Sequence, residues 1–258
     1  MAFGAVSADE RPVVLENTSG KSDFVILCDH ASNRIPLPLL DLGLPGDALK
    51  AHIAWDPGAL GVSKALSRML DATLVYPTIS RLVVDCNRML DAPDLVPEVS
   101  EATVIPGNAG LDEEARDRRV RMVHEPYHEM IDAVLEERSG QGRASILVAI
   151  HSFTPVYKGV ARPWEIGILS DLDRRLADAM LTDLRRDEAL TVGDNEPYAP
   201  GDGVYYTLTQ HGEARGLPCV MVEIRNDEIA DLKAEEAWAR RLATTLQAAR
   251  EAVVTKSV

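Results

Sequence analysis

The chain has 258 residues, of which 46% are hydrophobic and 26% are charged, and its formal net charge at pH 7 is −14. This length and composition are typical of a globular protein, so we interpret residues 1–258 as a single domain with a sizeable core. The acidic balance excludes a protein that binds nucleic acid through a basic face, and no apolar run approaches the ~20 residues of a membrane-spanning helix.

The N-terminal sequence MAFGAVSADERPVV lacks the basic stretch and the apolar stretch of a signal peptide, so we expect a cytoplasmic protein. Further along the chain, short runs rich in branched residues predict buried strands. These runs are residues 24–28, 72–76, 80–85, 145–150, 165–169 and 219–224.

Helical patterns separate most of the predicted strands. Residues 58–70, 171–186 and 228–250 carry apolar side chains at helical spacing. Strands that alternate with helices predict an α/β fold with three layers, in which helices flank both faces of a largely parallel sheet. The loop at residues 89–112 is too long for a simple connection, and we predict that it is a functional lid.

Polar side chains occur where the predicted strands end. In open parallel sheets, ligands bind beyond the carboxyl ends of the strands, so these side chains are expected to share one site. The residues concerned are Asp29, His30, Asp85, Asn87, Arg88, His151, Glu223 and Arg225.

Two of these residues, His30 and His151, are candidate zinc ligands, because a catalytic zinc site takes three protein ligands and leaves one position for water. Glu223 is the candidate carboxylate that takes a proton from the water and transfers it to a leaving amine. Simpler alternatives stay open. Histidines at strand ends are commonly capping or core residues, and a salt bridge to Arg225 would also account for Glu223.

Arginines beside such a centre bind substrate carboxylates or stabilise an oxyanion. The arginines available for this role are Arg81, Arg88, Arg162 and Arg225.

Residues 124–128 spell HEPYH, which has the spacing of the H-E-x-x-H zinc motif. The third position is Pro126, and proline inside a helix removes a hydrogen bond and clashes with the preceding turn. We therefore expect Pro126 to kink or restart the helix, and His124 and His128 to be packing or solvated residues. The roles of His52 and His211 stay open, although we expect His211 to lie on a helix.

Three cysteines, Cys28, Cys86 and Cys219, lie in or beside apolar runs. We expect them to be reduced and buried, since they are odd in number and widely separated. A catalytic cysteine is the disfavoured alternative, because apolar surroundings raise the pKa of a thiol.

Eight motifs then carry a resemblance to a known family. In chain order they are DHASNRIP, AWDPGALGVSKALS, SRLVVDCNR, IPGNAGL, IHSFTP, PWEIGIL, NEPY and VEIRND. From about residue 24 to residue 227 the chain resembles the N-formylglutamate amidohydrolase family, which is distantly similar to the zinc carboxypeptidases and to the aspartoacylase and succinylglutamate desuccinylase group. The resemblance implies a mixed eight-stranded sheet and zinc-dependent hydrolysis of an N-acylated acidic amino acid. The formal reaction is N-formyl-L-glutamate plus water giving formate and glutamate.

The resemblance also implies a metal centre. In the wider superfamily a histidine, an acid three residues later and a second histidine bind zinc, and His30 and His151 match the two histidines. The position of the acid is Asn33, which is a neutral residue. Asp56 in the AWDPGA motif is therefore our candidate for the third ligand, and Asp29 is the second choice and otherwise steadies His30.

In the related deacylases an arginine and a D-x-N-R sequence bind the substrate. By this resemblance Arg81 is expected at the scissile carbonyl, Asn87 and Arg88 at the α-carboxylate, and Asp85 behind them as an orienting residue. Glu223 matches the general base.

The remaining substrate contacts are less closely matched. Arg162 or Arg225 is expected to bind the side-chain carboxylate, and Tyr198 in NEPY is expected to close over the substrate. The expected partner is a small anionic N-acyl amino acid, which local arginines would have to attract against the overall negative charge.

Two alternatives remain at this point. A binding protein or regulator that keeps the pocket without hydrolysis is suggested by Asn33, which replaces an acid. A hydrolase of a different N-acyl amino acid is the other.

Overall fold

The structure is a computed structural model that describes residues 11–254. The expected absence of a signal peptide concerns mainly residues 1–10, which lie outside the described residues. Between residues 11 and 254, the predicted α/β fold is confirmed, because helices cover both faces of a central, mostly parallel sheet.

Regular elements are spread over the whole described range. The strands are β1 (Val13–Glu16), β2 (Phe24–Leu27), β3 (Thr73–Pro77), β4 (Val99–Ser100), β5 (Thr103–Val104), β6 (Ile146–Phe153), β7 (Val156–Tyr157), β8 (Val160–Ala161), β9 (Ile166–Leu169), β10 (Val192–Asp194) and β11 (Cys219–Arg225). The α-helices are α1 (Gly46–Lys50), α2 (Ala59–Leu70), α3 (Glu113–Arg119), α4 (Glu125–Gly140), α5 (Arg175–Leu184), α6 (Tyr206–His211) and α7 (Leu232–Val254).

The main sheet has the strand order β1-β3-β2-β6-β11-β9-β10, which makes seven strands within the described residues. The central strands β3, β2, β6 and β11 are parallel to one another. At the two sides, β1 is antiparallel to β3 and β9 is antiparallel to β11. The sheet is therefore mixed, as the resemblance implies, with seven strands in the described chain where eight were expected.

The sheet is apolar on both faces because helices cover both of them. In β2, Phe24 and Ile26 pack on the face of α2, α5 and α7, whereas Val25 and Leu27 pack on the face of α4. Successive side chains of a strand point to opposite faces, so a strand buried on both sides is apolar throughout. This is the physical basis on which the run FVIL predicts a strand without alternation.

Most of the predicted elements are confirmed. Five of the six predicted strands occur, as β2, β3, β6, β9 and β11, and the three predicted helices occur as α2, α5 and α7. The strand β6 continues past the predicted end, so His151 lies inside it and not beyond it. The short strands β1 and β10 and the helix α3 are additional to the prediction.

The predicted strand at residues 80–85 is wrong, because this segment consists of turns and irregular backbone. The carbonyl of Ser80 accepts the N–H of Val83 at 2.9 Å, and its Oγ accepts the N–H of Leu82 at 3.1 Å. These local bonds curl the chain away from a strand. Leu82, Val83 and Val84 are nevertheless fully buried in the core on the α4 face, which is why the sequence resembles a buried strand.

The helical region before α4 contains the expected interruption. Val120–His124 forms a π-helical segment, and α4 begins at Glu125 with Pro126 in its first turn. Proline is tolerated there because the first turn of a helix leaves its N–H groups unpaired. Pro126 thus restarts the helix, as expected.

None of the helices between residues 11 and 254 has the length and apolar character needed to cross a bilayer.

Candidate active site

A cavity of about 330 Å³ lies at the carboxyl edge of β2, β6 and β11. Nine of the twelve residues predicted for the site line it: His30, Asp56, Arg81, Asp85, Asn87, Arg88, His151, Tyr198 and Glu223. The predicted residues Asp29, Arg162 and Arg225 do not line the cavity.

The centre of the site is a buried triad of His30, Asp56 and His151, whose candidate ligand atoms all lie within 4.8 Å of one another. Oδ2 of Asp56 lies 3.3 Å from Nδ1 of His30 and 2.9 Å from Nδ1 of His151. The two rings meet edge to face, with centroids 5.0 Å apart. Both histidines therefore direct Nδ1 at the same carboxylate, although their positions in the sequence are far apart.

Two further carboxylates lie behind the two rings. Nε2 of His30 is 2.7 Å from Asp85, and Nε2 of His151 is 2.7 Å from Asp29. Asp29 also accepts hydrogen bonds from Tyr127 at 2.7 Å and from Thr207 at 2.9 Å. Asp29 thus supports His151, and the expectation from the sequence that it steadies His30 is wrong. Acids in this position orient metal-binding histidines and fix their tautomer.

The charges of this cluster shift the ionisation of its members. Burial alone would lower the pKa of His151, but the hydrogen bonds to Asp29 and Asp56 outweigh it and raise the pKa well above its usual value. The pKa of Asp56 is lowered, because the two histidines outweigh the effect of its burial. The cluster therefore favours an anionic carboxylate at Asp56 between two cationic or metal-bound rings.

The AWDPGA motif explains how Asp56 reaches the histidines. The N–H of Asp56 binds the carbonyl of His30 at 2.9 Å, and the carbonyl of Pro57 accepts a bond from Ser152 at 2.8 Å. Gly58 then has a φ of +81°, and a Cβ there would lie 2.4 Å from the carbonyl oxygen of Ile229. Only glycine fits this turn into α2, and the turn holds Asp56 beside His30 and His151.

Each of the two rings contacts a carboxylate through both of its nitrogens, and these four contacts bear on whether a metal ion fits the site. For all four to be hydrogen bonds, each imidazole would have to carry two protons. A divalent cation held by both Nδ1 atoms and Asp56 has the same charge as the two Nδ1 protons that it would replace. It would leave the Nε2 protons on Asp85 and Asp29 undisturbed. Two histidines and one carboxylate with acids behind them are the donor set of a catalytic zinc site.

Asn33 does not belong to this centre. Its Nδ2 donates to the carbonyl of Leu49 at 2.8 Å, and it does not line the cavity. Asn33, where the resemblance implies an acid, thus has a structural role in the loop after β2.

Glu223 lies in β11 directly opposite His151 in the neighbouring strand β6. It lines the cavity, and its buried Oε2 has no hydrogen-bond partner among the described residues. Burial is the main cause that raises its pKa to about 7. The alternative of a salt bridge to Arg225 does not apply, because Arg225 binds Glu165, Asp227 and Glu228. An unpaired carboxyl of this pKa is suited to proton transfer near neutral pH.

Arg81 lies at the wall of the cavity beside the triad. Its Nη2 is 2.6 Å from Oδ2 of Asp85, and its Nη1 is 3.5 Å from Oδ1 of Asp56. Asp85 thus connects Arg81 to His30. A guanidinium held in this way keeps a fixed orientation next to the centre.

Asn87 and Arg88 also line the cavity, but each is held from behind. Oδ1 of Asn87 accepts the N–H of Thr207 at 3.0 Å, and its Nδ2 donates to the carbonyl of Val204. Nε of Arg88 binds the half-exposed Asp94 at 2.7 Å. One Nδ2 hydrogen of Asn87 and part of the Arg88 guanidinium remain for a ligand.

Tyr198 and Arg162 form a stacked pair at another wall. Nη1 of Arg162 donates to the hydroxyl of Tyr198 at 3.0 Å, and the guanidinium lies 4.6 Å from the Tyr198 ring and 4.5 Å from the Tyr157 ring. Tyr198 contacts the cavity, whereas Arg162 lies behind it. Arg162 therefore supports the tyrosine from behind.

Two hairpins contribute further residues to the cavity, and the sequence indicated one of them only as part of a loop and the other not at all. The hairpin β4–β5 brings Val99, Ser100 and Glu101, and the hairpin β7–β8 brings Tyr157 and Lys158. His52 also lines the cavity and lies 3.4 Å from Glu101. The first hairpin belongs to the loop at residues 89–112, so this loop contributes to the cavity wall. Its motion as a lid stays a prediction.

The histidines of HEPYH do not form a metal site with each other. Within residues 11–254, the triad of His30, Asp56 and His151 is the one group of three potential metal ligands whose ligand atoms all lie within 4.8 Å of one another. His124 and His128 instead bind backbone carbonyls, and His211, at the end of α6, is 2.7 Å from His128. His211 lies on a helix, as expected.

All three cysteines are free and buried, and burial raises the pKa of each thiol. For Cys219 the pKa rises to about 12. A raised pKa suppresses the thiolate, so the geometry gives no support to a cysteine nucleophile.

Known proteins resemble this chain in sequence and fold. The family model described as N-formylglutamate amidohydrolase matches residues 22–230. A gene product of Agrobacterium tumefaciens is 46% identical, with a TM-score of 0.93 over 95% of this chain and 97% of that chain. The N-formylglutamate amidohydrolase from Ralstonia eutropha JMP134 is 20% identical and shares the fold, with a TM-score of 0.68 over 96% of this chain and 99% of its own. No curated protein matches the chain significantly.

Proposed function

The chain belongs to the N-formylglutamate amidohydrolase family and is a hydrolase of that type, and from this premise we propose that it is a zinc-dependent enzyme that converts N-formyl-L-glutamate and water to formate and L-glutamate. The observation that carries the proposal is the meeting of three groups in one cavity. These are the His30–Asp56–His151 triad, the unpaired carboxyl of Glu223 and the guanidinium of Arg81.

Zinc would be held by Nδ1 of His30, Nδ1 of His151 and the carboxylate of Asp56. When bound, such an ion lowers the pKa of a coordinated water and polarises a carbonyl oxygen. The acids Asp85 and Asp29 would keep the two imidazoles in the tautomer that offers Nδ1 as a ligand, because each accepts the Nε2 proton.

The chemistry of the chain itself centres on Glu223. During hydrolysis the water oxygen forms a bond to the formyl carbon, and the bond between that carbon and the amide nitrogen breaks. Glu223 takes the proton that the water loses and delivers it to the departing amine. Its raised pKa, about 7, suits both halves of this transfer. Arg81 would stabilise the negative charge that develops on the formyl oxygen.

The substrate's α-carboxylate is assigned to Asn87 and Arg88. Both line the cavity, and each keeps a free donor after its internal contacts are made. Tyr198, supported by Arg162, would pack over the substrate. The overall charge of −14 repels a dianion, so affinity has to come from these local donors.

The side-chain carboxylate needs a cation other than those expected from the sequence, since Arg162 and Arg225 do not line the cavity. We assign this role to Lys158 on the hairpin β7–β8. It lines the cavity, and no carboxylate among the described residues forms an ion pair with it. Its ammonium lies 5.2 Å from the Tyr157 ring, beside the cavity.

The Lys158→Ala variant is expected to raise KM for N-formyl-L-glutamate about tenfold, because one charge-assisted contact is lost. With N-formyl-L-glutamine, whose side chain is uncharged, KM should change less than about twofold. The measurement is steady-state kinetics with both substrates. Lys64→Ala, which removes a surface lysine bound to Glu16, is the matched control. Equal effects on the two substrates would refute the assignment.

The function itself is tested with the purified chain. Zinc content near one equivalent is expected, together with release of formate from N-formyl-L-glutamate that a chelator abolishes and added zinc restores. A panel of N-formyl-L-aspartate, N-formyl-L-alanine and N-acetyl-L-glutamate tests the acyl group and the amino acid. A chain that binds N-formyl-L-glutamate but does not hydrolyse it in the presence of zinc would instead be a binding protein.

A further inference from the structure

The HEPYH motif lies beside the active-site cavity without lining it. Nε2 of His124 is 3.0 Å from the carbonyl oxygen of Arg88, and Nε2 of His128 is 2.9 Å from the carbonyl oxygen of Cys86. These two carbonyls flank Asn87. The motif therefore contacts the backbone on both sides of a residue that faces the substrate cavity.

The acceptors determine which nitrogens of the two rings are protonated. A carbonyl oxygen can only accept a hydrogen bond, so Nε2 must be the donor in both histidines. Nδ1 of His128 lies 2.7 Å from Nε2 of His211, which lies on α6. Burial is the main cause that lowers the pKa of His128 to about 3, so this ring is neutral, Nε2 carries its one proton, and Nδ1 has none to donate. The ring of His211 stacks on that of His128, with centroids 5.0 Å apart, and its own Nδ1 lies 2.9 Å from Oδ1 of Asp132.

Residues 85–88 need such support because they belong to no strand or helix. No ladder of sheet hydrogen bonds holds their carbonyls in place. The rings of His124 and His128 are 4.4 Å apart, on one side of the junction between the π-helical segment and α4. They donate side by side to the two carbonyls.

We propose that His124 and His128 are positioning residues that hold the backbone of residues 86–88, so that Asn87 and Arg88 are presented to the carboxylate of the substrate. This inference rests on the proposed function for the identity of the substrate. By this proposal the HEPYH sequence, which resembles a zinc motif, binds the backbone next to Asn87 instead of a metal ion. We call the contacts of His124 and His128 with the carbonyls of Arg88 and Cys86 the clamp. Pro126, which is incompatible with the zinc motif in an unbroken helix, fits the clamp because it lies in the first turn of α4.

Kinetics of two variants at one position test the clamp. His124→Ala is expected to raise KM for N-formyl-L-glutamate about tenfold and to change kcat less than about threefold, because substrate binding and not proton transfer is affected. His124→Gln offers an amide N–H near the place of Nε2 and should return KM to within about threefold of the original value. If KM does not rise in His124→Ala, or if His124→Gln does not restore it, the clamp is refuted.

A control separates positioning from general destabilisation. Ile131→Ala removes a fully buried side chain of α4, the helix that follows His124, and this side chain forms no hydrogen bond to residues 86–88; the variant should lower Tm at least as much as His124→Ala. Its KM should stay unchanged. Equal rises of KM in the two variants would overturn the proposal.

Nuclear magnetic resonance provides a test that needs no substrate. In protein labelled with ¹⁵N, Nε2 of His124 and His128 should carry the proton. The side-chain amide signals of Asn87 should move in His124→Ala and return in His124→Gln. Unprotonated Nε2 atoms or unmoved Asn87 signals would contradict the clamp, whatever the substrate is. Absence of formate release by the unmodified chain, with these signals as expected, would contradict only the proposed function.

Discussion

Replacement of Glu223 with glutamine is expected to lower kcat about 10³-fold while zinc content and KM stay close to those of the original chain. Glutamine has nearly the same shape as glutamate but cannot accept the proton of the attacking water. The measurement combines steady-state kinetics with metal analysis of the same preparations. Because only proton transfer is affected, the loss should appear in kcat alone.

A second glutamate serves as the matched control. Glu228 binds Arg225 at 3.0 Å and does not line the cavity, so Glu228→Gln makes the same chemical change outside the site. We expect full activity in Glu228→Gln. A fully active Glu223→Gln enzyme would mean that another group moves the proton.

Replacement of Asp56 with alanine is expected to lower bound zinc from about one equivalent to less than about one tenth, and to abolish formate release. The physical reason is that Oδ2 of Asp56 is the atom that both Nδ1 atoms approach. Without it, two histidines remain as ligands, which is fewer than a catalytic zinc site uses. Metal analysis after dialysis against buffer of fixed free zinc gives the affinity.

The companion variant is Asn33→Ala, at the position that matches the acid of the wider superfamily. Because Asn33 binds the carbonyl of Leu49 and does not line the cavity, this variant should keep its zinc. The two variants thus decide between the candidate third ligands. Zinc retained in Asp56→Ala but lost in Asn33→Ala would reverse the assignment.

Sequence reasoning found the α/β fold and the residues at the sheet edge because both follow from local rules. The apolar runs that became β2, β6 and β11 predict buried strands, and the carboxyl ends of parallel strands meet at one edge. His30, His151 and Glu223 are polar residues next to or within such runs. Their meeting in one cavity follows from the parallel order of the three strands.

The features that sequence reasoning missed depend on contacts between distant segments. Residues 80–85 have the composition of a strand, and only the bonds of Ser80 show that the chain turns there. Arg225 follows β11 as a substrate-binding residue would, yet its partners are Glu165, Asp227 and Glu228. Lys158 carries no pattern that separates it from other surface lysines. Its place at the cavity comes from the hairpin β7–β8, which is too short to be predicted.

Within the described residues, the two hairpins at the cavity pair only within themselves, β4 with β5 and β7 with β8, and are separate from the main sheet that carries His151 and Glu223. Short surface hairpins tolerate insertions and exchanges far better than central strands do. The architecture thus separates the groups on the main sheet from the part of the cavity wall that the two hairpins form. Exchange of these hairpins between relatives is therefore expected to change the shape and charge of the cavity wall while the positions of His151 and Glu223 in the main sheet stay the same.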